Sequence, residues 1–337
     1  MPTIRDVARL AGVSVATVSR YLNNSGYISQ EAAQKIRHAI EALDYEPNVI
    51  ARGLAKKRTS TIAVLLPDIT NPFFAELVKS VEASARDRDY NVVIWSIDEG
   101  ETAEHSFNAF LRMLQLQYIE GVVISTHTLT TKQVEALKKL AIPFVFLDRP
   151  ALVTPAPVIR ADNRKGARLA VRHLREVGAT QIAHIGGPQA LLPARERLQG
   201  YLEEIKEGGL DMQPMIVEGD FTLEGGMNAI YRILEQAPDT DGIFAANDLM
   251  AIGALKALHR AGIAVPEDIS IIGFDGISLT AMIEPELSTI AQPIAALGAR
   301  AVDRLIHLAE HGGMDEHVDT LEVTLIARAS TQRGRLH

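Results

Sequence analysis

Apolar positions near the start of the chain fall at helical spacing: Ile4, Val7, Ala8 and Ala11 share one face of a short helix. Gly12 ends it, because glycine enters the left-handed backbone region without a Cβ clash. Ser14 is placed to cap a second helix, in which Val18 and Leu22 sit four apart on the buried side. Ala16, Ser19 and Arg20 then face outward, with Val15 and Thr17 near the helix start. Asn23-Asn24-Ser25-Gly26 is a turn cluster. Ser29 caps a third helix to about Leu43, with Ala32, Ile36, Ala39, Ile40 and Leu43 as its inner stripe. The pattern predicts three helices around one small core within residues 1–46.

Residues 47–60 form a basic connector that includes Pro47, Asn48, Ala51, Arg52, Gly53, Leu54, Lys56, Lys57 and Arg58. Pro47 marks a boundary and Asn48 can cap. A segment of about ten residues is too short for a stable isolated helix in water, so by itself it reads as a linker.

From Thr61 the pattern changes to apolar runs alternating with amphipathic helices. Strands are predicted over 61–66, 91–97, 121–125, 143–148 and 158–161, then over 182–186, 215–217, 242–246 and 270–275. Helices are predicted over 73–89, 133–140, 165–177, 195–207, 225–236, 248–261 and 294–310. Continuous apolar strands with intervening helices imply parallel sheets covered on both faces. Two such series predict an α/β domain of two doubly wound lobes, with a cleft outside the carboxyl ends of the strands. One lobe takes about 61–161 and 293–321, the other about 162–291 and 323–330. Late strands over 288–292 and 321–329 are expected to cross back between lobes.

The charge distribution changes this picture. The whole chain of 337 residues carries -8, yet residues 1–60 hold nine cations and five anions, a balance of +4. The remainder therefore carries -12 (-8 minus 4), so a basic end is joined to an acidic body. That is the layout of a nucleic-acid reader with a separate sensing domain. There is no Cys, which excludes disulfides, thiol catalysis and Cys-ligated zinc and fits a reducing cytosol. No apolar run approaches the roughly 20 residues of a membrane span, and the N-terminus lacks a secretory apolar core. No Gly-x-Ser-x-Gly, phosphate-cradling loop or His-Glu-x-x-His is present, and the His residues lack metal-ligand spacing. The expectation is a cytoplasmic protein that is not an enzyme and needs no metal or cofactor.

The outer face of the second helix is small apart from Arg20, as close approach to a DNA major groove requires. Asp-Val-Ala-x-x-Ala-Gly-Val-Ser-x-x-Thr-Val-Ser-Arg, over 6–20, resembles the helix-turn-helix headpiece of the lactose/galactose repressor family. The resemblance implies DNA contacts at Thr3, Ser14, Val15, Ala16, Thr17, Ser19, Arg20 and Asn23. It further implies that the connector is the family's hinge helix, contacting DNA at Asn48, Ala51, Leu54 and Lys56. There Leu54 would wedge into the minor groove, where an apolar side chain unstacks a base step. Val15 and Ala16 stand where the family varies to choose its operator, which leaves the operator sequence open.

Polar and aromatic groups also gather where predicted strands end. Asp carboxylates accept hydroxyl bonds, Arg donates them, Asn and Gln do both, and aromatic faces cover the C–H faces of a sugar ring. Asn-Pro-Phe-Phe from 71, Leu-Asp-Arg from 147, Ala-Arg-Glu-Arg from 194, Gly-Phe-Asp-Gly from 273 and Thr-Ile-Ala-Gln from 289 resemble the periplasmic ribose-binding protein. Carried over position by position, the sugar contacts would be Asn71, Phe73, Phe74, Asp148, Arg149, Arg197, Phe221, Asn247, Asp275 and Gln292.

The combined resemblance implies a homodimeric repressor of operator DNA, switched by a small sugar with D-ribose foremost. No leucine heptads follow Arg328, so the family's tetramer-forming tail is not expected. Two other readings fit the residues: the same DNA reader with a purine, nucleoside or protein effector, and a solute receptor with no DNA role.

Overall fold

The computed structural model describes residues 2–22, 25–45, 59–97, 103–116, 118–126, 129–148, 156–208, 213–313 and 317–332. The chain divides into two units, Met1–Ser60 and Thr61–His337.

In the first unit, α1 (Ile4–Ala11), α2 (Val15–Leu22) and α3 (Gln30–Leu43) surround one core of Val7, Ala8, Ala11, Val18, Ile36 and Ala39. Gly12 takes the left-handed conformation, φ 65°, that ends α1. At the other end of α1, the Asp6 carboxylate accepts from the Thr3 amide and hydroxyl at 2.9 and 2.7 Å. Ser14 Oγ accepts from the Thr17 amide at 3.1 Å and so caps α2. Ser29 Oγ does the same for α3 by accepting from Ala32 N. The predicted hinge at 47–58 lies outside the described residues.

The second unit holds two six-stranded sheets. The first contains β1 (Thr61–Leu66), β2 (Asn91–Ser96), β3 (Gly121–Ile124), β4 (Phe144–Leu147), β5 (Val158–Ala161) and the late β11 (Val318–Leu321), in the order β11-β5-β4-β3-β1-β2. All its pairings are parallel. Helices α4 (Pro72–Arg86), α5 (Ala103–Gln115), α6 (Thr131–Lys139) and α11 (Ile294–His311) accompany this sheet. They close two apolar cores, one containing Val64, Val81 and Leu305, the other Leu65, Phe110 and Phe146.

The second sheet contains β6 (Ile182–Gly186), β7 (Met215–Glu218), β8 (Gly242–Ala245), β9 (Ser270–Asp275), β10 (Ser288–Ala291) and β12 (Thr324–Ile326), in the order β12-β10-β9-β8-β6-β7. Only β10 with β12 is antiparallel. Its helices are α7 (Asn163–Glu176), α8 (Leu192–Glu207), α9 (Leu223–Gln236) and α10 (Asp248–Arg260). The chain passes between lobes after β5, after β10 and between β11 and β12.

Three features differ from the sequence reading. The stretch expected to be one strand over 321–329 is two short ones in different sheets, because the chain changes lobe at Glu322-Val323. β2 is not covered on both faces: it ends its sheet, and Val93 and Ile94 are exposed. Helix α5 was not anticipated, although Phe107, Phe110 and Leu114 form a buried stripe at helical spacing.

Candidate functional site

The strand ends of both lobes meet helix starts along one cavity of about 820 Å3. Asn71, Phe73, Phe74, Asp148, Arg197, Phe221, Asn247, Asp275 and Gln292 all line it. Arg149 lies outside the described residues.

Each lining group is set by local structure. Asn71 caps α4 by accepting from Phe73 N at 3.0 Å, with Pro72 in the first turn where its missing N–H costs nothing. Phe73 and Phe74 pack edge to face, with centroids 5.3 Å apart. Asn247 caps α10: its Oδ1 accepts from Met250 N at 2.9 Å, and its Nδ2 donates to Phe221 O at 3.0 Å. Gly187 lies so close under the Phe221 ring that a Cβ there would stand 2.2 Å from it.

Three lining residues occupy the left-handed backbone region without being glycine: Asp148 (φ 51°), Phe221 (φ 65°) and Asp275 (φ 122°). Such strain persists only where surrounding structure over-determines it. Here Asp148 and Phe221 follow strands, Asp275 ends β9, and all three line the cleft.

Arg197 is the electrostatic centre. It is 4% exposed, and its Nη1 lies 3.3 Å from Asp275 Oδ1. Its Nε donates to Asn163 Oδ1 at 2.9 Å, Nη1 donates to Ala246 O, and the guanidinium stacks 3.8 Å over the Phe274 ring. Asn163 passes the connection on, its Nδ2 donating to Asp148 Oδ1 at 3.4 Å. Gln292 Nε2 donates to Asp275 Oδ1 at 2.8 Å, whereas Gln292 Oε1 is buried with no partner among the described residues. Burial pushes the Asp148 and Asp275 carboxyls up to about 6 against the pull of Arg197.

The described lining carries more acid than base. Among the described lining residues, Asp68, Asp148, Asp220 and Asp275 face the single cation Arg197. An anionic ligand would meet this excess of carboxylates and be repelled, whereas a neutral polyol supplies the hydroxyl donors they need.

Asn163 and Asp248 were missed as supports of the site. Asp248 directly follows the expected contact Asn247, but only the folded chain shows its bonds to residues 28, 29 and 41 positions away. Ser125, a buried group at the end of β3, also lines the cavity and was not anticipated.

In the first unit, Thr3, Ser14, Val15, Ala16 and Arg20 are exposed, and Thr17 and Ser19 are half-buried. Thr17 Oγ1 is 2.8 Å from Ser14 Oγ, so its hydroxyl completes the cap. Asn23, Asn48, Ala51, Leu54 and Lys56 lie outside the described residues. Among the described residues, no cluster of three or more His, Cys, Asp or Glu could hold a metal, and no helix is long and apolar enough to cross a membrane.

A helix-turn-helix unit joined to a two-lobed α/β body with a polar cleft defines a ligand-responsive DNA-binding regulator. Residues 3–48 match the model of bacterial regulatory proteins of the lacI family, and 171–331 match a periplasmic binding protein-like domain. The chain is 41% identical over 334 residues to a ribose operon repressor of Halalkalibacterium halodurans, covering 99% of this chain and 98% of that one. The crystal structure of the Lac repressor dimer bound to operator and an anti-inducer superposes with a TM-score of 0.87 at 30% identity, over 98% and 99% of the two chains. A ribose-bound lacI-family regulator from Enterococcus faecalis superposes at 0.73 and 30% identity, over 82% and 100%. The chain belongs to the lacI family and is a DNA-binding transcriptional repressor.

Proposed function

We propose that this repressor binds a near-palindromic operator as a homodimer, and that D-ribose in the inter-lobe cleft sets its operator affinity. The observation that carries the effector is the convergence of nine hydroxyl-binding and ring-covering side chains on one cavity, with a carboxylate excess suited to a neutral ligand. The unpartnered Gln292 Oε1 supplies an acceptor that a sugar hydroxyl can satisfy. Relatives named as ribose operon repressors and family structures holding ribose support the same ligand.

In this reading Asp148, Arg149, Arg197, Asn247, Asp275 and Gln292 bind hydroxyl and ring oxygens, Asn71 adds a further polar contact, and Phe73, Phe74 and Phe221 cover the ring faces. Val15, Ala16, Ser19 and Arg20 read bases, while Thr3, Ser14, Thr17, Asn23 and Lys56 hold phosphates. Asn48, Ala51 and Leu54 belong to a hinge that folds against the minor groove. Two headpieces related by a two-fold axis match two half-sites. The protein works in the cytosol, without catalysis, metal or cofactor.

Calorimetric titration with D-ribose, other pentoses, hexoses and purines tests the effector. Fluorescence anisotropy with a duplex selected from a random pool tests the switch. A coupling of about 1–3 kcal/mol changes operator affinity roughly 5–150-fold. Tighter binding of a purine than of any sugar refutes the effector. Equal operator affinity with and without sugar refutes the switch.

A further inference from the structure

Asp248 is fully buried, is the first residue of α10, and does not line the cavity. Its carboxylate nevertheless ties together the parts of the second lobe that carry Asn247, Asp275 and Gln292. Oδ2 accepts from the Gly276 and Ile277 amides at 2.7 and 2.9 Å. Oδ1 accepts from Thr289 Oγ1, on β10, at 2.6 Å. The turn after β9 is thus clamped immediately beyond Asp275, the residue held at φ 122°. Two consecutive amides aimed at one carboxylate oxygen constrain that turn, and so maintain a backbone conformation that Asp275 would not choose alone.

We propose that Asp248 is a positioning residue for effector binding: without touching ligand, it fixes the turn after β9 and so directs the Asp275 carboxylate at Arg197 and Gln292. The inference rests on the reading of the cleft as the sugar site. Gly273 supports the arrangement independently. A Cβ there would lie 2.3 Å from Asp248 Oδ1 and 3.2 Å from Asp248 Cα, so β9 carries glycine where the carboxylate must pass. The chemistry also specifies which substitution is tolerated. Asparagine keeps one oxygen for both amides and turns its NH2 toward Thr289 Oγ1, which then accepts. Alanine leaves the buried Ile277 amide without its acceptor, and the Gly276 amide with only Thr289 Oγ1, 3.2 Å away.

The test compares D248A, D248N, G273A and L258A in the full-length protein. Leu258 is a buried residue of the same helix and reports a general loss of stability. D-ribose affinity is measured by calorimetry, sugar-free operator affinity by anisotropy, and Gly276 and Ile277 protection by amide exchange. Losing a hydrogen bond to a charged binding group lowers affinity by roughly 10–150-fold. The expected result is a D-ribose affinity lowered about 30-fold in D248A and G273A and less than about 5-fold in D248N and L258A. Sugar-free operator affinity should stay unchanged throughout, and amide protection should be lost in D248A but kept in D248N. Wild-type affinity in D248A, equal losses in D248A and D248N, or an equal loss in L258A overturns the proposal. If the wild-type protein takes up no sugar, the effector reading fails separately. Amide exchange then decides: protection of 276 and 277 lost only in D248A supports the clamp, and unchanged protection refutes it.

Discussion

The Glu76 carboxylate accepts two hydrogen bonds from Ser278, from the amide at 2.8 Å and the hydroxyl at 2.7 Å. Glu76 stands on α4 of the first lobe, and Ser278 follows the turn after β9 in the second. The contact joins the lobes beside Asp275, whose carboxyl is pushed up chiefly by burial and further by the Glu76 charge. Replacing Glu76 with Gln removes that like charge and lowers the Asp275 pKa. The pH midpoint of sugar affinity should move downward in E76Q and stay in place in S278A, which keeps the charge. An unmoved midpoint in E76Q excludes this coupling.

Sugar affinity itself should fall on acidification. Asp148 and Asp275 lie at about 6, so sugar hydroxyls that donate to the ionised carboxylates bind best above that pH. Binding at pH 6 releases protons, visible as a calorimetric heat that depends on the ionisation enthalpy of the buffer. Sugar-free stability follows the opposite sign for these two groups. The native state holds more protons than the unfolded chain between about 4 and 6, so their contribution grows as pH falls through that window. His184, pushed down to about 4 by burial between Tyr201 and Phe244, opposes this by losing stability as pH falls below 6.5.

Arg197→Met should abolish the sugar response and cost about 3–5 kcal/mol in urea unfolding, because it leaves buried carboxylates uncompensated. The deficit should shrink at pH 5, where Asp148 and Asp275 are largely protonated. A pH-independent deficit argues instead for lost packing on Phe274.

Glu204 lies on α8, is 3% exposed, and meets Arg168, Arg172 and Arg175 of α7. Burial alone would raise its pKa, but the arginines, Arg172 foremost, bring it below the ordinary value. Removing the carboxylate in E204A takes the shared acceptor from Arg172 and Arg175, while Arg168 keeps Glu203 and Glu207, and should cost about 1–3 kcal/mol in urea unfolding. Because the lowered carboxylate contributes stability above its unfolded pKa, the gap between wild type and E204A should close as the medium is acidified below about 4.

Ser14→Ala removes the α2 cap and should cost the first unit about 1 kcal/mol. Operator affinity should fall while D-ribose affinity is unchanged. A matching loss in sugar binding contradicts separate roles for the two units.

Local chemistry was enough for much of this protein. Gly12, Ser14 and Ser29 cap or stop helices through bonds to residues a few positions away, so their roles are readable from spacing. The apolar runs gave the two strand series, since a strand buried on both faces must be apolar throughout. The polar and aromatic groups at strand ends were visible as a pattern, but it was the resemblance to the ribose-binding protein that named the contacts, and nine of those residues line one cavity. Tertiary structure decided what depends on distant partners. The lobe change at Glu322-Val323 and the exposed face of β2 follow from strand order, which pattern alone does not specify. Asn163 and Asp248 act through groups 15 to 41 residues away, and the positive φ of Asp148, Phe221 and Asp275 is imposed on ordinary L-residues by surroundings assembled only in the fold.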